Sequence, residues 1–245
     1  MKLLTVVTIV YNDFQGLKRT RESLLNKPSW VEWVVIDGLS SDIPEGYLSD
    51  LSDQAIVISE KDSGIADAFN KGIALSNGEF VLFINAGDRL SENFFDELEL
   101  MNINENFKGK LIVGKVKFGQ RLIGDKVSFI YQSIRNRLPH QGCIFHYTLF
   151  EKYGMYDTSY RLGMDYEWSL RLKYVWNNIV CFSPLFVSFM DENGRSISNY
   201  KTTYLKYHEA RIKNKTMPSL FSAFLSFLFI KKVTLGNYLR SRFGH

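Results

Sequence analysis

The first hundred residues alternate short apolar runs with segments of helical periodicity, and few architectures satisfy this pattern. Residues 14–25 and 63–76 have the apolar spacing of helices, and Asp13 is placed to cap the first of them. Strands separated by helices form βαβ units, so the pattern predicts an α/β fold whose mostly parallel sheet is flanked by helices. The apolar runs that we predict as strands are residues 3–10, 31–36, 55–59 and 80–84.

Acidic or amide side chains follow each of the four predicted strands. Ligands of open α/β sheets bind at the carboxyl ends of the strands, so these positions predict a binding site. Asp and Asn are also common turn residues, which would explain any one position but not four in succession. Carboxylates suit a divalent cation and sugar hydroxyls, and a phosphate-bearing ligand would need a cation beside them. The four segments are Tyr11-Asn12-Asp13, Asp37-Gly38, Glu60-Lys61-Asp62 and Asn85-Ala86-Gly87-Asp88.

The chain lacks the sequence marks of several common classes of site. It contains no G-x-G, which argues against NAD or FAD, and its two cysteines are too few for a disulfide framework. Residues 109–115 have the glycine spacing of a phosphate loop, but Val116 replaces the Ser or Thr that would hold magnesium. We therefore predict a strand at 109–118, preceded by a helix that Ser91 caps. No apolar run reaches the roughly 18 residues of a membrane span.

Several longer segments resemble the inverting glycosyltransferases of family 2. The resemblance covers roughly residues 3–200 and implies the GT-A fold, a nucleotide-diphosphate sugar as donor, and a divalent cation, Mn²⁺ or Mg²⁺. It implies a catalytic domain at 1–200, with a nucleotide-binding half at about 1–100 and an acceptor half at about 101–200. Bacterial enzymes of surface-polysaccharide synthesis are the most similar members. The matching segments are residues 8–12, 35–42, 60–72 and 78–88.

The resemblance assigns the nucleoside to residues of the first half. Asp37 resembles the acid that accepts a hydrogen bond from the uracil ring N–H, and a carboxylate there favours uracil or thymine over cytosine. Asp67 is four residues before Lys71, so an exposed ion pair is an alternative for it. The residues assigned to the nucleoside are Thr8, Val10, Tyr11, Asn12, Asp37, Asp62, Asp67 and Asn70.

The segment Asn85-Ala86-Gly87-Asp88 is located where the family carries its D-x-D motif. It departs from that motif because Asn replaces the first acid and an extra residue precedes Asp88. The resemblance implies that Asp88 is the metal ligand. Packing in a turn is the alternative for His140, and a surface loop is the alternative for Arg195. The residues assigned to the sugar or diphosphate are Asn85, Ala86, His140, Gln141 and Arg195.

Residues 160–171 resemble the motif that carries the catalytic base. By that match Asp165 is the base and Glu167 a supporting carboxylate, while Met164 replaces a frequent Glu. Helix capping by Asp165 is the alternative that the residues alone allow. Carboxylates two residues apart do not share a helix face, which predicts separate roles for the two acids.

The resulting expectation is a metal-dependent inverting transferase that moves a sugar from a UDP-sugar to a lipid-linked saccharide during cell-surface polysaccharide synthesis. A sugar-nucleotide nucleotidyltransferase is one alternative, although residues 11–14 lack the Gly, Arg and Lys of a triphosphate loop. A non-catalytic sugar-nucleotide-binding module is the other, and the intact Asp165 and Glu167 argue against it.

Charge and aromatic residues single out the tail, residues 201–245. The chain has a net charge of +4, too small to predict nucleic-acid binding, but the tail holds nine Lys or Arg residues and one acid, Glu209. We predict a basic helix at 204–215, a break at Met217-Pro218 and a second helix from Ser219. That helix either packs onto the catalytic domain or is a peripheral anchor on the anionic cytoplasmic face of the membrane. Its less apolar side consists of Ser222, Ala223 and Ser226.

Overall fold

The computed structural model describes residues 2–191 and 199–243. The strands are β1 Lys2–Val10, β2 Val31–Asp37, β3 Ile56–Ser59, β4 Gly78–Phe83, β5 Arg89–Leu90, β6 Leu111–Phe118, β7 Arg121–Ile123, β8 Cys143–His146 and β9 Val180–Met190. The helices are α1 Phe14–Glu22, α2 Tyr47–Leu51, α3 Ile65–Ala74, α4 Phe94–Leu100, α5 Ile103–Asn106, α6 Phe129–Ile134, α7 Thr148–Tyr153, α8 Met164–Leu170, α9 Trp176–Ile179, α10 Tyr200–Lys213 and α11 Ser219–Phe243. A 3₁₀ turn spans His140–Gly142.

The strands of the described residues form one sheet in the order β3-β2-β1-β4-β8-β6-β9-β5, with β7 paired to β6. Strands β3, β2, β1 and β4 are parallel, β8 runs antiparallel to β4 and β6, and β9 is parallel to β6. The predicted α/β fold with a mostly parallel sheet is confirmed, and so is the strand at 109–118, which is β6. Pairing of Val10 with Asp37, and of Asp37 with Ser59, aligns the carboxyl ends of three strands.

Hydrophobic cores lie on both faces of the sheet. Val7 of β1 belongs to the same core as Phe69 of α3, whereas Val6 belongs to the opposite core with Leu17 of α1. All four are buried, which explains why the first strand is apolar without alternation. Full burial of such a side chain contributes about 1.5–3 kcal/mol. Helix α3 approaches β1 at Gly72, where a Cβ atom would lie 2.2 Å from Val7 Cγ1.

Two predicted caps have different outcomes. The Asp13 carboxylate accepts a hydrogen bond from the Gly16 N–H at 2.8 Å, which confirms it as the cap of α1. The prediction that Ser91 caps the next helix is wrong. Asn93 occupies the cap position of α4, and the Ser91 hydroxyl instead donates to the Phe186 carbonyl at 2.6 Å. Ser91 therefore connects the residues before α4 to β9.

The two tail helices pack in sequence against the acceptor half. Helix α10 contacts α8, and α11 contacts α10. The predicted break at Met217-Pro218 is confirmed, and the first helix begins at Tyr200, four residues before its predicted start. Among the described helices, none combines the length and the apolar composition that crossing a bilayer requires.

Candidate active site

The loops after β1 and β2 are joined by hydrogen bonds at the edge where the predicted nucleoside site lies. Asn12 adopts a positive φ of 52°, and its side-chain oxygen accepts from the Ser41 N–H at 2.9 Å. The buried Asp37 carboxylate accepts from the Ser40 N–H at 3.0 Å and from the Ser59 hydroxyl at 2.6 Å. Asn12 and Asp37 are therefore held by neighbouring loops before any ligand binds.

A glycine brings two further predicted residues to the same edge. A Cβ atom on Gly38 would lie 2.6 Å from Asp62 Oδ2 and 3.2 Å from Tyr11 Cδ2, so a larger residue here would displace the Asp62 carboxylate. The other Asp62 oxygen accepts from the Gly64 N–H at 2.9 Å. A cleft of about 470 Å³ is lined in part by Asp37, Ser40 and Ser59. Its volume lies within the range of small-ligand sites.

Thr8 and Val10, two other residues assigned to the nucleoside, also have buried side chains. Thr8 accepts a hydrogen bond from the Trp33 indole N–H at 3.0 Å, and Val10 lies in a hydrophobic core. The Val10 carbonyl accepts from the Gly38 N–H at 3.0 Å. Their side chains support the sheet, so contact with a nucleotide would have to come from the main chain.

The two predicted residues on α3 make contacts within the protein. Asp67 accepts from the Ser63 N–H at 2.8 Å and lies 3.9 Å from the Lys71 ammonium, as the spacing predicts. The Asn70 side chain exchanges two hydrogen bonds of 2.9 Å with the main chain of Tyr156. Asn70 thereby connects the nucleotide-binding half to the acceptor half.

The turn that carries Asp88 is attached to α1 by a single hydroxyl. Thr20 donates to the carbonyls of Asn85, at 3.1 Å, and Asp88, at 2.7 Å, and accepts from the Gly87 N–H at 3.1 Å. The Ala86 N–H donates to the Ile9 carbonyl at 3.1 Å, which continues the pairing beyond β1. These bonds fix the backbone of the turn.

Asp88 is buried beside a second carboxylate. Its two oxygens accept from the N–H groups of Asp191, at 2.8 Å, and Asn85, at 3.2 Å. Burial raises the pKa of Asp88 to about 6, opposed by these hydrogen bonds and reinforced by the Asp191 charge. An Arg19 nitrogen lies 3.3 Å from the Asp191 carboxylate, so a cation also borders the cluster.

Oxygen atoms around Asp88 fit a divalent cation. The Asn85 side-chain oxygen is buried and has no hydrogen-bond partner within residues 2–191 and 199–243, although such groups normally have one. No cluster of three or more His, Cys, Asp or Glu residues in the described chain makes a complete protein cage. Mg²⁺ and Mn²⁺ sites commonly combine one or two carboxylates with substrate phosphates and water. The set formed by Asp88, Asp191 and Asn85 is of this incomplete kind.

His140 and Gln141 connect the Asp88 cluster to the predicted base. Gln141 lowers the pKa of Asp88, and its neighbour His140 lies close enough to Asp165 for the Asp165 charge to affect the pKa of the imidazole. The His140 ring stacks on Phe83 at 4.8 Å, and its Nε2 atom is 2.8 Å from the Tyr156 hydroxyl. Burial lowers the pKa of His140 to about 4, and the Asp165 charge opposes this shift. The ring is therefore neutral at pH 7.

Asp165 is oriented by a side chain from outside its own helix. The Asn136 amide donates to Asp165 Oδ2 at 2.7 Å, and the Asn136 oxygen accepts from the Gln132 amide at 2.9 Å. Gly163, in the left-handed conformation, occupies the cap position of α8 and Asp165 lies in its first turn. The alternative that Asp165 is the helix cap is wrong. A half-buried carboxylate held in this way can act as a general base.

Glu167 faces away from Asp165 and is fully buried. Its carboxylate pairs with Arg171, lies 3.0 Å from the Lys213 ammonium and accepts from the Asn214 amide at 3.1 Å. Lys213 and Asn214 belong to the end of α10, so the observed contacts of Glu167 hold the tail to α8. Separate positions for the two acids agree with their spacing in sequence.

Comparison with known proteins identifies the family. The model of the family described as "Glycosyl transferase family 2" matches residues 5–152, more than half of the chain. The chain belongs to this family. An uncharacterized glycosyltransferase of Mycobacterium tuberculosis strain H37Rv is 35% identical over 181 residues, which are 69% of this chain and 68% of the relative. A glycosyltransferase named for PGL/p-HBAD biosynthesis, from Mycobacterium bovis BCG, is 27% identical over 57% of each chain.

Solved structures of other glycosyltransferases share the fold, which confirms the predicted GT-A architecture. Staphylococcus aureus TarS residues 1–349, in complex with UDP-GlcNAc, superposes with a TM-score of 0.64 at 15% identity, covering 94% of this chain and 72% of that one. The mannosyltransferase PcManGT of Pyrobaculum calidifontis, with GDP-Man and Mn²⁺, gives 0.60 at 17% identity, covering 91% and 67%. This family 2 glycosyltransferase therefore has the overall fold of both enzymes.

Four residues that the sequence did not single out lie at the candidate site of this family 2 glycosyltransferase. Thr20 and Asp191 lie against the Asp88 turn, and Asn136 and Tyr156 contact Asp165 and His140 respectively. None of the four directly follows a predicted strand of the first half. That position after a strand was the sequence feature by which Asp37, Asp62 and Asp88 were predicted. The predicted contact of Arg195 lies outside the described residues.

Proposed function

We propose that this chain is an inverting glycosyltransferase that moves a sugar from a UDP-sugar to an acceptor hydroxyl, with Asp165 as base and Asp88 as the residue that holds a divalent cation. The observation that supports the proposal most strongly is the arrangement around two consecutive residues. The Asp165 charge raises the pKa of His140, and Gln141 lowers the pKa of Asp88, so the proposed base and the acidic cation site both lie near one short segment. A direct displacement needs a base on one side of the sugar and charge neutralisation on the other.

Asp165 would remove the proton of the acceptor hydroxyl as that oxygen attacks the anomeric carbon. The bond from the anomeric carbon to the diphosphate oxygen breaks on the opposite face, the electron pair leaves with UDP, and the configuration inverts. Asn136 would keep one carboxylate oxygen of Asp165 oriented while the other takes the proton. A positioned base of this kind is worth about 10²–10⁴-fold in rate.

The protein would hold the leaving group through the residues around Asp88. A bound Mn²⁺ or Mg²⁺ would supply positive charge to the diphosphate oxygens. Asp88 and the unpaired Asn85 oxygen are the groups that would hold the ion, and the Asp191 carboxylate is the third oxygen donor nearby. Arg19, paired with Asp191, would contribute a guanidinium beside the diphosphate. Neutral His140 would act as a hydrogen-bonding group and not as a charge.

The choice of UDP depends on this chain's own residues, because its structural neighbours were solved with donors of different bases, UDP-GlcNAc and GDP-Man. The Asp37 carboxylate would accept the ring N–H of uracil, which cytosine lacks at that position. The experiment is a thermal-shift panel of UDP-, GDP- and dTDP-sugars with Mn²⁺. We expect the largest rise in melting temperature with a UDP-sugar, and a larger rise with a GDP-sugar would contradict the assignment of Asp37.

The acceptor that we propose is a lipid-linked saccharide used for cell-surface polysaccharide. Its support is the resemblance of residues 8–12, 35–42, 60–72 and 78–88 to bacterial enzymes of surface-polysaccharide synthesis. Release of UDP that requires such an acceptor would distinguish the transferase from a non-catalytic binding module, which would bind UDP-sugar and release none. A product that retains the donor's anomeric configuration would contradict the direct displacement.

A further inference from the structure

The last helix of the described chain, α11, buries two serines and exposes several of its large apolar side chains. Among residues 219–235, Ser222 and Ser226 are buried against α10 and Phe229 stacks on Tyr204, whereas six large apolar residues face outward. A surface helix of a globular domain normally buries its apolar stripe and exposes its polar residues. The outward apolar residues are Leu220, Phe221, Phe224, Phe227, Leu228 and Leu235.

Hydrogen bonds fix the orientation of α11. The buried Arg211 guanidinium donates to the Ser222 carbonyl at 3.2 Å and to the Ser226 hydroxyl, and Ser226 donates to the Tyr204 carbonyl at 3.0 Å. The Ser222 hydroxyl is 2.8 Å from His208 Nδ1. Rotation of α11 to bury its phenylalanines would leave the Arg211 charge without these partners, which is costly in a buried site. The apolar side therefore stays outward.

We define the outer face of α11 as Leu220, Phe224, Phe227, Leu228 and Leu235. Their spacing of four, seven, eight and fifteen residues from Leu220 places them in one stripe along the helix. Lys231 and Lys232 extend from the same exposed side, and neither forms an ion pair with any residue of the described ranges. The outer face is thus an apolar stripe that includes unpaired positive charge.

We propose that the outer face of α11 docks on the surface of an anionic lipid bilayer. Apolar side chains beside lysines match the boundary between acyl chains and acidic headgroups, and each cation near such a surface strengthens binding several-fold. Charge complementarity favours this partner over a second copy of the chain, which would bring the same lysines against each other. The inference goes beyond the proposed transfer reaction and does not depend on it.

The docked helix is connected to the catalytic side of the molecule through α10. Tyr207 of α10 lies so close to Gly163 that a Cβ atom there would be 2.9 Å from the Tyr207 ring, and the centroid of this ring is 4.2 Å from that of Tyr166. Gly163 and Tyr166 belong to the start of α8, which carries Asp165. Helices α11 and α10 therefore lie between a docked bilayer and the helix that carries Asp165. This arrangement suits an acceptor that is held in the same membrane.

The contribution of the apolar side chains to membrane binding is tested by flotation of the full chain with vesicles of phosphatidylcholine, with and without phosphatidylglycerol. Phe224 and Phe227 are 55% and 60% exposed, so Phe224→Ser with Phe227→Ser removes apolar surface without opening a core. We expect this double variant to bind anionic vesicles about tenfold more weakly or worse than wild type. The matched control is Leu100→Ser with Leu122→Ser, two residues outside the tail that are 86% and 59% exposed, and it should float like wild type.

The contribution of the lysines to membrane binding is tested with a double variant, Lys231→Glu with Lys232→Glu. The control is Lys126→Glu with Lys152→Glu, at two exposed positions of the catalytic region. We expect the tail variant to lose binding to anionic vesicles and the control to keep it. High salt should release wild-type protein, because screening weakens the attraction of lysines to the headgroups.

Three outcomes would overturn the proposal. One is flotation of the Phe224→Ser, Phe227→Ser variant at the wild-type level. Another is equal binding to neutral vesicles and anionic vesicles. The third is a stable dimer in sedimentation that the phenylalanine variant dissociates, which would assign the face to a second copy. Calorimetric binding of UDP should be equal in all variants, so that a failure of docking is distinguishable from a failure of the proposed reaction.

Discussion

Asn136 donates a hydrogen bond of 2.7 Å to Asp165, and the two residues come from different parts of the chain, the turn after α6 and the first turn of α8. The Asn136 oxygen is occupied in turn by the Gln132 amide, which also donates to the Ser169 hydroxyl at 2.8 Å. Because this set of bonds leaves the Asn136 amide little freedom, the direction of one Asp165 oxygen is determined before substrate binds. Asn136 is a positioning residue in this account.

Replacing Asn136 by Ala should lower kcat by about 10- to 100-fold, the worth of a hydrogen bond to a charged group. The KM for the UDP-sugar should stay within about twofold, because Asn136 acts through the base and not on the donor. Steady-state measurement of UDP release gives both constants. Asn93→Ala, at an exposed helix start without a side-chain cap bond, is the control and should match wild type. A rise in KM with unchanged kcat would assign Asn136 to donor binding.

Replacing Asp88 by Ala should abolish the effect of Mn²⁺ on UDP binding, since this carboxylate is the proposed ligand. Titration calorimetry with and without Mn²⁺ measures the effect, with Asp96→Ala on the exposed side of α4 as control. In wild type the Mn²⁺ effect should grow as the pH rises through about 6, because the ion competes with a proton on Asp88. Equal UDP affinity in wild type with and without Mn²⁺ would rule out the metal role.

The buried His140 should make the protein less stable in mild acid. Its pKa is lowered by burial from 6.5 to about 4, so the unfolded chain binds a proton below pH 6.5 while the folded chain does not. The free energy of unfolding should therefore fall as the pH drops from 6.5 towards 4. Urea unfolding across this range should show a shallower fall for His140→Gln. An identical pH dependence in the variant would show that His140 is not the group responsible.

Replacing Glu167 by Gln should destabilise the protein by about 3 kcal/mol, because it leaves the buried side of the Arg171 and Lys213 cluster without its negative charge. Glu209→Gln, which breaks an exposed pair with Lys206, should cost about 0.5 kcal/mol or less. Urea unfolding compares the two. UDP affinity should be unchanged at temperatures where the Glu167→Gln protein is folded. A loss of turnover without a loss of stability would instead indicate that Glu167 assists Asp165 in the reaction.

The parts of the site that the sequence predicts are those that follow from strand order. Asp37, Asp62 and Asp88 each come after an apolar run, and parallel pairing brings their strands to one edge. Asn136 could not be predicted in the same way, because its role depends on how α6 packs beside α8. Asp191 meets Asp88 only because β9 pairs with β5 across a hundred residues of sequence.

The structure of the tail could also be predicted from the sequence only in part. Composition predicts two helices and a basic, aromatic surface, and the structure has both helices. Which side of the second helix faces inward could not be predicted from periodicity, since apolar residues cover more than one face. The buried Arg211 decides it by bonding to the serine side.

In the proposed reaction Asp165 activates the acceptor hydroxyl, and the Asp165→Asn variant separates this role from a structural one. Asn has nearly the same shape, so UDP affinity by calorimetry should remain close to wild type. Acceptor-dependent release of UDP should fall by about 10²–10⁴-fold, the usual worth of a positioned base. Wild-type turnover in the Asp165→Asn protein, or a collapse of its UDP affinity, would contradict the account.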